Sequence, residues 1–257
     1  MLRKILFLSL ITFSIAEAQS EYKNSIKFNT LGPLSQLYSA QYELSLGNHL
    51  AFTNTFFYRP KKLIPIGETV DNLAKKHGLG ITGIKFENIF MDEAKLGIKG
   101  YSPEMRFYFG KKKNRVFASV IGQYEDFDMT VPANLAVKYK GITADLKVPV
   151  DFTFKTYSAG ILIGKQFNWR RLGIDLVVIG PHFGKAKDFY AVASNAALAQ
   201  LNDEEKQYIL DKIKERFGLS DTYFSRSLID DKAEIKSIKP IPYLGIRGLG
   251  LNLFYRF

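Results

Sequence analysis

The chain has three histidines and no cysteine. Histidine has a pKa near neutrality, so it is the residue type to consider first for acid–base catalysis. A serine–histidine hydrolase needs a histidine beside a serine nucleophile, with an acid that orients the ring. His49 and His77 fall in a predicted turn and a predicted loop, whereas His182 falls at the outer end of a predicted strand, at a lipid interface. The spacing marks no serine or acid as its partner. His182 is therefore the one catalytic candidate, and we expect that the protein is not an enzyme.

Other site chemistries find little support in the residue types. The lack of cysteine excludes disulfides, thiol chemistry and cysteine-based metal sites. The sequence has no G-x-S-x-G, P-loop, H-E-x-x-H or EF-hand motif, so we expect neither a cofactor nor a bound metal. The formal net charge is +11, with dispersed basic residues and one dense run at 111–113. We interpret this charge as favouring solubility and contact with outer-membrane lipid and lipopolysaccharide, not nucleic-acid binding.

A second group of polar residues falls at alternating positions of predicted strands, where its members would share an inner face. Glu104 and Arg106 are two residues apart on one strand, so they point to the same side. The group has two bases and three acids: Lys27, Glu43, Glu104, Arg106 and Asp175. Because buried charges must pair, we expect a salt-bridge network that holds the strands in register. A proton or ligand path is the alternative.

The elements that position these residues are strands in which apolar and polar residues alternate. The pattern predicts eight of them, at about 25–31, 37–46, 50–59, 100–110, 116–126, 155–167, 172–182 and 241–257. In the eighth predicted strand, alternate residues are apolar up to the final residue. These residues are Leu249, Leu251, Leu253, Tyr255 and Phe257. We predict that this strand closes a barrel by pairing with the first.

The predicted connections alternate between short and long. Those after the second, fourth and sixth strands have 3, 5 and 4 residues, whereas those after the third, fifth and seventh have roughly 25 to 60. Outer-membrane barrels have short periplasmic turns, longer extracellular loops and an even strand count. We therefore expect an all-β membrane protein, a closed antiparallel up-and-down barrel of eight strands with both termini in the periplasm. Ten strands are the alternative, if residues 81–90 or 137–150 form further hairpin strands.

The N-terminal residues have the features of a secretory signal peptide. Arg3 and Lys4 precede an apolar stretch at residues 5–15, and residues 16–18 form an A-x-A cleavage pattern. We therefore predict a signal peptide at 1–18 and a mature barrel domain at 19–257. No later window is apolar enough for a spanning helix.

Several strands resemble those of a known family. Residues 100–110, GYSPEMRFYFG, resemble the G-x-x-x-x-E-x-R-Y-Y-F strand of a Bacteroidetes family of small outer-membrane β-barrels that carries a domain-of-unknown-function label. Residues 26–29 with Tyr42 and Glu43 are similar to the first hairpin of that family, and residues 159–167 and 242–245 to later strands. The resemblance covers well under half of the chain. It implies an outer-membrane barrel without an established activity.

The connection before the last strand contains a predicted helical insertion, at residues 188–236. Asn202 and Glu205 form a capping pattern and Gly218 a stop signal, so we predict a helix over 203–217. Its apolar stripe is Leu210, Ile213 and Phe217. The stripe could pack on the barrel mouth or form an interaction face for a partner protein outside the cell.

Together these patterns predict a non-enzymatic outer-membrane protein with a structural, partner-binding or ligand-binding role, in which the extracellular loops are the interaction surface. The first alternative is a lipid-modifying enzyme, a lipid A or phospholipid hydrolase that uses His182. The second is a narrow channel. An eight-stranded barrel has an interior that its side chains fill, which disfavours the channel.

Overall fold

The computed structural model describes residues 22–65, 67–77, 80–85, 87–111, 113–139, 142–200 and 202–257, so the predicted signal peptide lies outside the described residues. Eleven strands in this part form one antiparallel sheet. They are β1 (Asn24–Asn29), β2 (Tyr38–Ser45), β3 (Leu50–Leu63), β4 (Lys95–Lys111), β5 (Asn114–Tyr139), β6 (Ile142–Trp169), β7 (Leu172–Ser194), β8 (Phe224–Ile229), β9 (Lys232–Ser237), β10 (Ile241–Arg247) and β11 (Gly250–Arg256).

The helices are short and few in the same part of the chain. They are α1 (Gly32–Ser35), α2 (Gly67–His77), α3 (Asp203–Phe217) and the 3-10 helices η1 (Met91–Glu93) and η2 (Ala196–Gln200). None of the described helices has the length and apolar character needed to cross a membrane.

The strand pairings form a closed ring. Consecutive strands pair from β1 to β7, and β11 pairs with β7 on one side and with β1 on the other. β10 continues the line of β11, because it pairs with β7 from Ala186 to Gly180. The connections between β2 and β3, β4 and β5, and β6 and β7 are tight and lie at one end, which we call the lower end. Within the ring itself, each strand therefore has a partner on both sides.

The strand count differs from the expected eight for two physical reasons. The predicted last strand is interrupted at Gly248 and Leu249, so it forms both β10 and β11. A further hairpin, β8 and β9, pairs with the upper end of β7 and lies off the closed path. Residues 81–90 do not supply the extra strand of the ten-strand alternative. Their described part forms isolated bridges at Ile81 and Ile89.

The long connection predicted after the fifth strand is a continuation of strands instead. β5 and β6 stay paired from Asn114 and Phe167 up to Tyr139 and Ile142. The outward side of β5 changes from apolar residues to Asp126 and Asp128 along this path. The alternation typical of a lipid-facing strand therefore ends at Asp126, although the strand itself goes on.

A bulge in β7 changes which residues point into the ring. The pairing of β6 with β7 shifts between Ile163 and Gly164, so Val178 has no partner in register. Buried residues are odd-numbered below this point, as at Asp175, and even-numbered from Gly180 to Ala186, as at His182. One extra residue inverts the faces of a strand because side chains alternate with period two. His182 therefore points inward and is buried, not toward the lipid interface that the sequence suggested.

Inward glycines make room for rings on the neighbouring strands. A Cβ on Gly164 would lie 2.3 Å from Cζ of Phe117, its register partner on β5. The same arrangement recurs at three more cross-strand pairs: Gly100 with Phe57, Gly173 with Phe254, and Gly245 with His182. Because glycine has no side chain, a large ring on the neighbouring strand can occupy the space beside it. The narrow interior is thus filled without displacement of the backbone.

The upper end carries a second apolar core between the extended strands and helices α2 and α3. α3 begins at Asn202, whose side chain and Glu205 form a capping box, and ends at Gly218 with φ 57°. Asp221 accepts hydrogen bonds from Lys214 on α3 and from Arg226 on β8. These bonds lower the pKa of Asp221. They join the helix to the hairpin that follows it.

The apolar stripe of α3 is covered by the protein itself. Ile213 and Phe217 are buried in a core with Ile89 and Phe189, and Leu210 is half-buried beside the same residues. The expected interaction face of Leu210, Ile213 and Phe217 is thus not an exposed surface. The reason is that β5, β6 and β7 extend far enough above the ring to meet the helix.

The glycine–ring pairs predict a position-specific cost of adding one methyl group. Gly164→Ala should lower the free energy of unfolding by about 1–3 kcal/mol, because its Cβ would overlap Phe117 and the Leu176 carbonyl. Gly122→Ala is the matched control, since its nearest neighbour would be Pro103 Cγ at 3.4 Å. Urea unfolding followed by the fluorescence of Trp169 measures both. Equal stability of the two variants would contradict the proposed role of the glycine.

Candidate functional site in the ring interior

The centre of the lower ring is a network of buried ion pairs. Lys27 Nζ lies 2.7 Å from Glu43 Oε2 and 2.6 Å from Asp175 Oδ2. The Arg106 guanidinium lies 2.5 Å from Asp175 and 2.7 Å from Glu104. All five residues singled out from the sequence therefore meet in one cluster, and their side chains are at most 3% exposed.

Neutral side chains complete the hydrogen bonding of the three carboxylates. The Tyr108 hydroxyl donates to Glu43 at 2.7 Å, and the Gln166 amide donates to Asp175 at 2.8 Å. The Ser119 hydroxyl donates to Glu104 at 2.5 Å. Each carboxylate thus has both a charged and a neutral donor. Full satisfaction of this kind is what makes a buried ionic network tolerable.

The network ties together strands that are not neighbours in the sheet. Lys27 comes from β1, Glu43 from β2, Arg106 from β4 and Asp175 from β7. The backbone pairing connects β1 to β7 only through β11, and β2 to β4 only through β3. The pairs of Asp175 with Lys27 and Arg106, and the contact of Arg106 with Glu43, therefore cross the interior between strands that are not neighbours.

Packing around the network closes the lower interior. The guanidinium of Arg106 lies 4.4 Å from the ring centroid of Phe117. Tyr108 and Phe117 belong to a buried apolar cluster with Ala51, Ile121, Leu162 and Val177. Charges and rings thus occupy the space that an aqueous path through this part would need.

A polar cavity of about 300 Å³ lies within the ring above this plug. Glu125, His182, Tyr243 and Arg247 are on its wall, along with the hydroxyl-bearing Thr55 and the amide of Gln123. The wall also includes Gly248 and Leu249, at the interruption between β10 and β11, and Leu249 is exposed on the outer side. The cavity therefore reaches a part of the wall that lacks strand structure.

Hydrogen bonds fix some of these groups and leave others open. Thr156 and Tyr243 donate to the same oxygen of Glu125, at 2.9 and 3.3 Å. Within the described residues, Arg247 has no hydrogen-bond or ion-pair partner, and neither the Thr55 hydroxyl nor the Gln123 carbonyl oxygen has a hydrogen bond. Arg247 lines the cavity, and Thr55 and Gln123 line it as well, but these two oxygen atoms are themselves buried.

His182 has a serine partner that the sequence spacing did not reveal. Ser158 Oγ on β6 lies 2.8 Å from His182 Nδ1. Gly160 and Gly245 flank the histidine on the two neighbouring strands, and a Cβ on Gly245 would lie 2.5 Å from Nε2. The pair could polarise a bound polar group, but it faces the interior of the ring.

The outer face of the ring is apolar over a limited height. On β4 the outward residues from Tyr101 to Phe109 are uncharged, and Lys99 and Lys111 lie just beyond them. On β5 the corresponding stretch runs from Val116 to Tyr124, before Asp126. Exposed residues such as Val120 and Ile161, at 58% and 55%, occupy the middle of this zone. We call it the outer band.

Two rows of register partners mark the upper limit of the outer band. The lower row is aromatic across β3 to β6, with Phe56, Tyr101, Tyr124 and Tyr157 in register. The next row up is charged across β4 to β7, with Lys99, Asp126, Lys155 and Lys187. The change from aromatic to charged thus occurs at one level on three strands, β4, β5 and β6. The barrel-closing residues Leu249, Leu253, Tyr255 and Phe257 are exposed on the same outer face, and Leu251 is half-buried.

The ion network predicts a large cost for removing one member. Arg106→Ala should lower the free energy of unfolding by about 3–5 kcal/mol, because three buried carboxylates would then share one lysine. Lys61→Ala, which breaks partly exposed pairs with Asp128 and Asp151, should cost less than about 1 kcal/mol. Thermal unfolding monitored by circular dichroism compares the two. An Arg106→Ala melting temperature equal to that of the unmodified protein would refute the structural role of the network.

Comparisons with solved structures find outer-membrane proteins of similar length. One is a major outer membrane protein from Thermus thermophilus, with 10% identity and a TM-score of 0.39 over 91% of this chain and 98% of that chain. Another is the outer membrane protease OmpT from Escherichia coli, with 6% identity and a TM-score of 0.39 over 91% of this chain and 92% of that chain. No curated protein sequence matches the chain.

The profile of one protein family matches residues 4–215, most of the chain. That family is described as a protein of unknown function, DUF3575. The match confirms the relationship to a domain-of-unknown-function family that residues 100–110 indicated, and it extends well beyond the strands that carried the resemblance. The chain belongs to the DUF3575 family of proteins of unknown function.

Proposed function

We propose that the protein is a non-enzymatic outer-membrane β-barrel whose closed ring spans the membrane and whose upper part faces the cell exterior. In this proposal the barrel has eight strand positions, because β10 and β11 together occupy one. The observation that carries the proposal is the outer band. A soluble protein rarely exposes a large continuous apolar surface, and here that surface surrounds a polar, ion-paired interior.

The height of the outer band supports membrane insertion. A tilted strand needs about 9–11 residues to cross the hydrocarbon core. The uncharged outward stretches from Tyr101 to Phe109 and from Val116 to Tyr124 have this length. Aromatic rings favour the two interfaces of an outer-membrane barrel, and the row that includes Tyr124 and Tyr157 lies at one limit of the band.

The proposed orientation follows from the unequal ends of the ring. The tight connections lie at the lower end, where β1 begins beside the end of β11. Short turns on the periplasmic side and larger extracellular segments are the usual arrangement, which places the lower end in the periplasm. Lys155, Lys185 and Lys187 would then lie at the outer interface, where their charge favours the phosphates of lipopolysaccharide.

Membrane insertion predicts that lysine is costly in the outer band and tolerated above it. Ile161→Lys should make the free energy of folding into lipid bilayers less favourable by about 2–4 kcal/mol. Thr153→Lys, an exposed position on the same strand beside Asp128, should change it by less than about 1 kcal/mol. Folding titrations into phosphatidylcholine vesicles in urea measure both. If the two lysines cost the same, the outer band does not face lipid.

A narrow channel is disfavoured by the plug. Lys27, Arg106 and Tyr108 occupy the lower interior, so an ion would have to displace paired buried charges. In planar bilayers we expect the unmodified protein to show no sustained single-channel conductance. Regular conductance steps that persist at low applied voltage would favour the channel over the binding role.

Lipid hydrolysis is the other alternative, and the Ser158–His182 hydrogen bond is the observation that favours it. The position of the pair argues against it. A bilayer lipid would lie against the outer band, whereas His182 is buried on the inner face. Glu125, the nearby acid on the cavity wall, already accepts from Thr156 and Tyr243. We therefore assign these residues to the wall of a binding cavity.

A further inference from the structure

We propose that two adjoining cavities form a binding site for a small amphiphile with a carboxylate head group and an apolar chain. The first is the polar cavity already described, and the second lies above it in the upper core. Phe127 and Tyr243 line both cavities. This inference depends on the interior of the protein and goes beyond the proposed membrane role.

The second cavity fits an apolar group. Its volume is about 270 Å³, and its lining is almost entirely hydrophobic. It lies between the extended strands and α2, with Val70, Met91, Val131 and Phe154 among its walls. An apolar cavity of about 150 Å³ is enough to bind benzene. The space here can therefore hold a larger hydrocarbon group, for which an apolar wall offers no competing polar partner.

The polar cavity fits an anionic head group. Arg247 is the cation on its wall, and among the described residues it has no carboxylate in ion-pair distance. A carboxylate would accept the charge-assisted hydrogen bonds that this guanidinium can donate. Glu125 is a second charged group on this wall: its Oε2 accepts from Thr156 and Tyr243, and it lies outside ion-pair distance of Arg247, although its charge and that of Glu104 still act on the guanidinium.

The relative positions of the two cavities define how such a ligand would lie. Arg247 pairs in register with Gly180, four residues below the Tyr243–Gly184 pair on β7. The head group would therefore lie deep in the ring, and the chain would extend past Tyr243 into the upper cavity. Both volumes together fall within the range of about 300–1,000 Å³ that is typical of small-molecule sites.

Titration with [1-¹³C]dodecanoate tests the site. The purified protein is held in nanodiscs of zwitterionic lipid, and empty nanodiscs give the signal of lipid-dissolved fatty acid. We expect a separate carboxyl resonance that stays ionised at a lower pH than the lipid-dissolved signal, because Arg247 stabilises the anion. [1-¹³C]Dodecanol, which lacks the charge, should bind at least about tenfold more weakly.

Two variants and one control make the result specific. Arg247→Gln should weaken dodecanoate binding at least about tenfold, and Val70→Trp should abolish it by filling the apolar cavity. Lys185→Gln removes an exposed charge from the outer side of β7 and should bind as the unmodified protein does. Urea midpoints establish that each variant is folded.

Three outcomes would overturn the proposal. One is the absence of a bound resonance with the unmodified protein. Another is equal affinity of the unmodified protein and Arg247→Gln for dodecanoate. The last is unchanged binding by folded Val70→Trp. None of them bears on whether Ile161→Lys is costly in lipid, so a failure of this site is distinguishable from a failure of the membrane proposal.

Discussion

The pairing of Lys27 and Arg106 with three buried carboxylates is the constraint on which the ring interior depends. Removing two cations and three anions from water costs several kcal/mol for each ion. That cost is offset only while every strand that carries a member stays in register. The network therefore restricts the relative positions of β1, β2, β4 and β7 more tightly than backbone pairing alone. It also uses the central space that a pore would require.

Beside the network and above it, the interior is filled by size complementarity between rings and glycines. Rings lie over glycines at four cross-strand pairs, so large side chains fit where the backbone leaves space. Where this filling stops, two cavities remain. Arg247 and Thr55 have unmet hydrogen-bonding capacity next to one, and Val131 and Phe154 present bare hydrocarbon to the other. Side chains thus fill the lower part of the interior, whereas the upper part contains two cavities with room for a ligand.

Sequence reasoning predicted the features that repeat and missed those that depend on a single residue. Alternation located the ring strands, and inward polar residues such as Glu104 and Arg106 followed from their spacing. The α3 boundaries followed from Asn202, Glu205 and Gly218, whose roles are local. The ion-pair partners could be assigned only as a group, because the distances between opposite walls depend on ring geometry.

The missed features have identifiable physical causes. One additional residue at Val178 inverted the faces of β7, so His182 was assigned to the wrong environment and Ser158 was not paired with it. Arg247 gave no signal of its own, because a lone basic residue in an alternating strand does not reveal which face it occupies. The continuation of β5 beyond Asp126 was overlooked because a strand that extends past the outer band loses its apolar outward face but keeps its hydrogen bonds.

The unequal strand lengths have a consequence for assembly. β5 and β6 are adjacent in sequence and pair over a long stretch, so this hairpin can form from contacts that are local in the chain. Closure, in contrast, joins Ser25 to Arg256 from opposite ends of the described chain. Until that last step the growing sheet has two free edges, which can pair with other chains. The edges of β1 and β11 must therefore be kept from pairing with other chains until the ring closes, although the closed ring has no free edge at these strands.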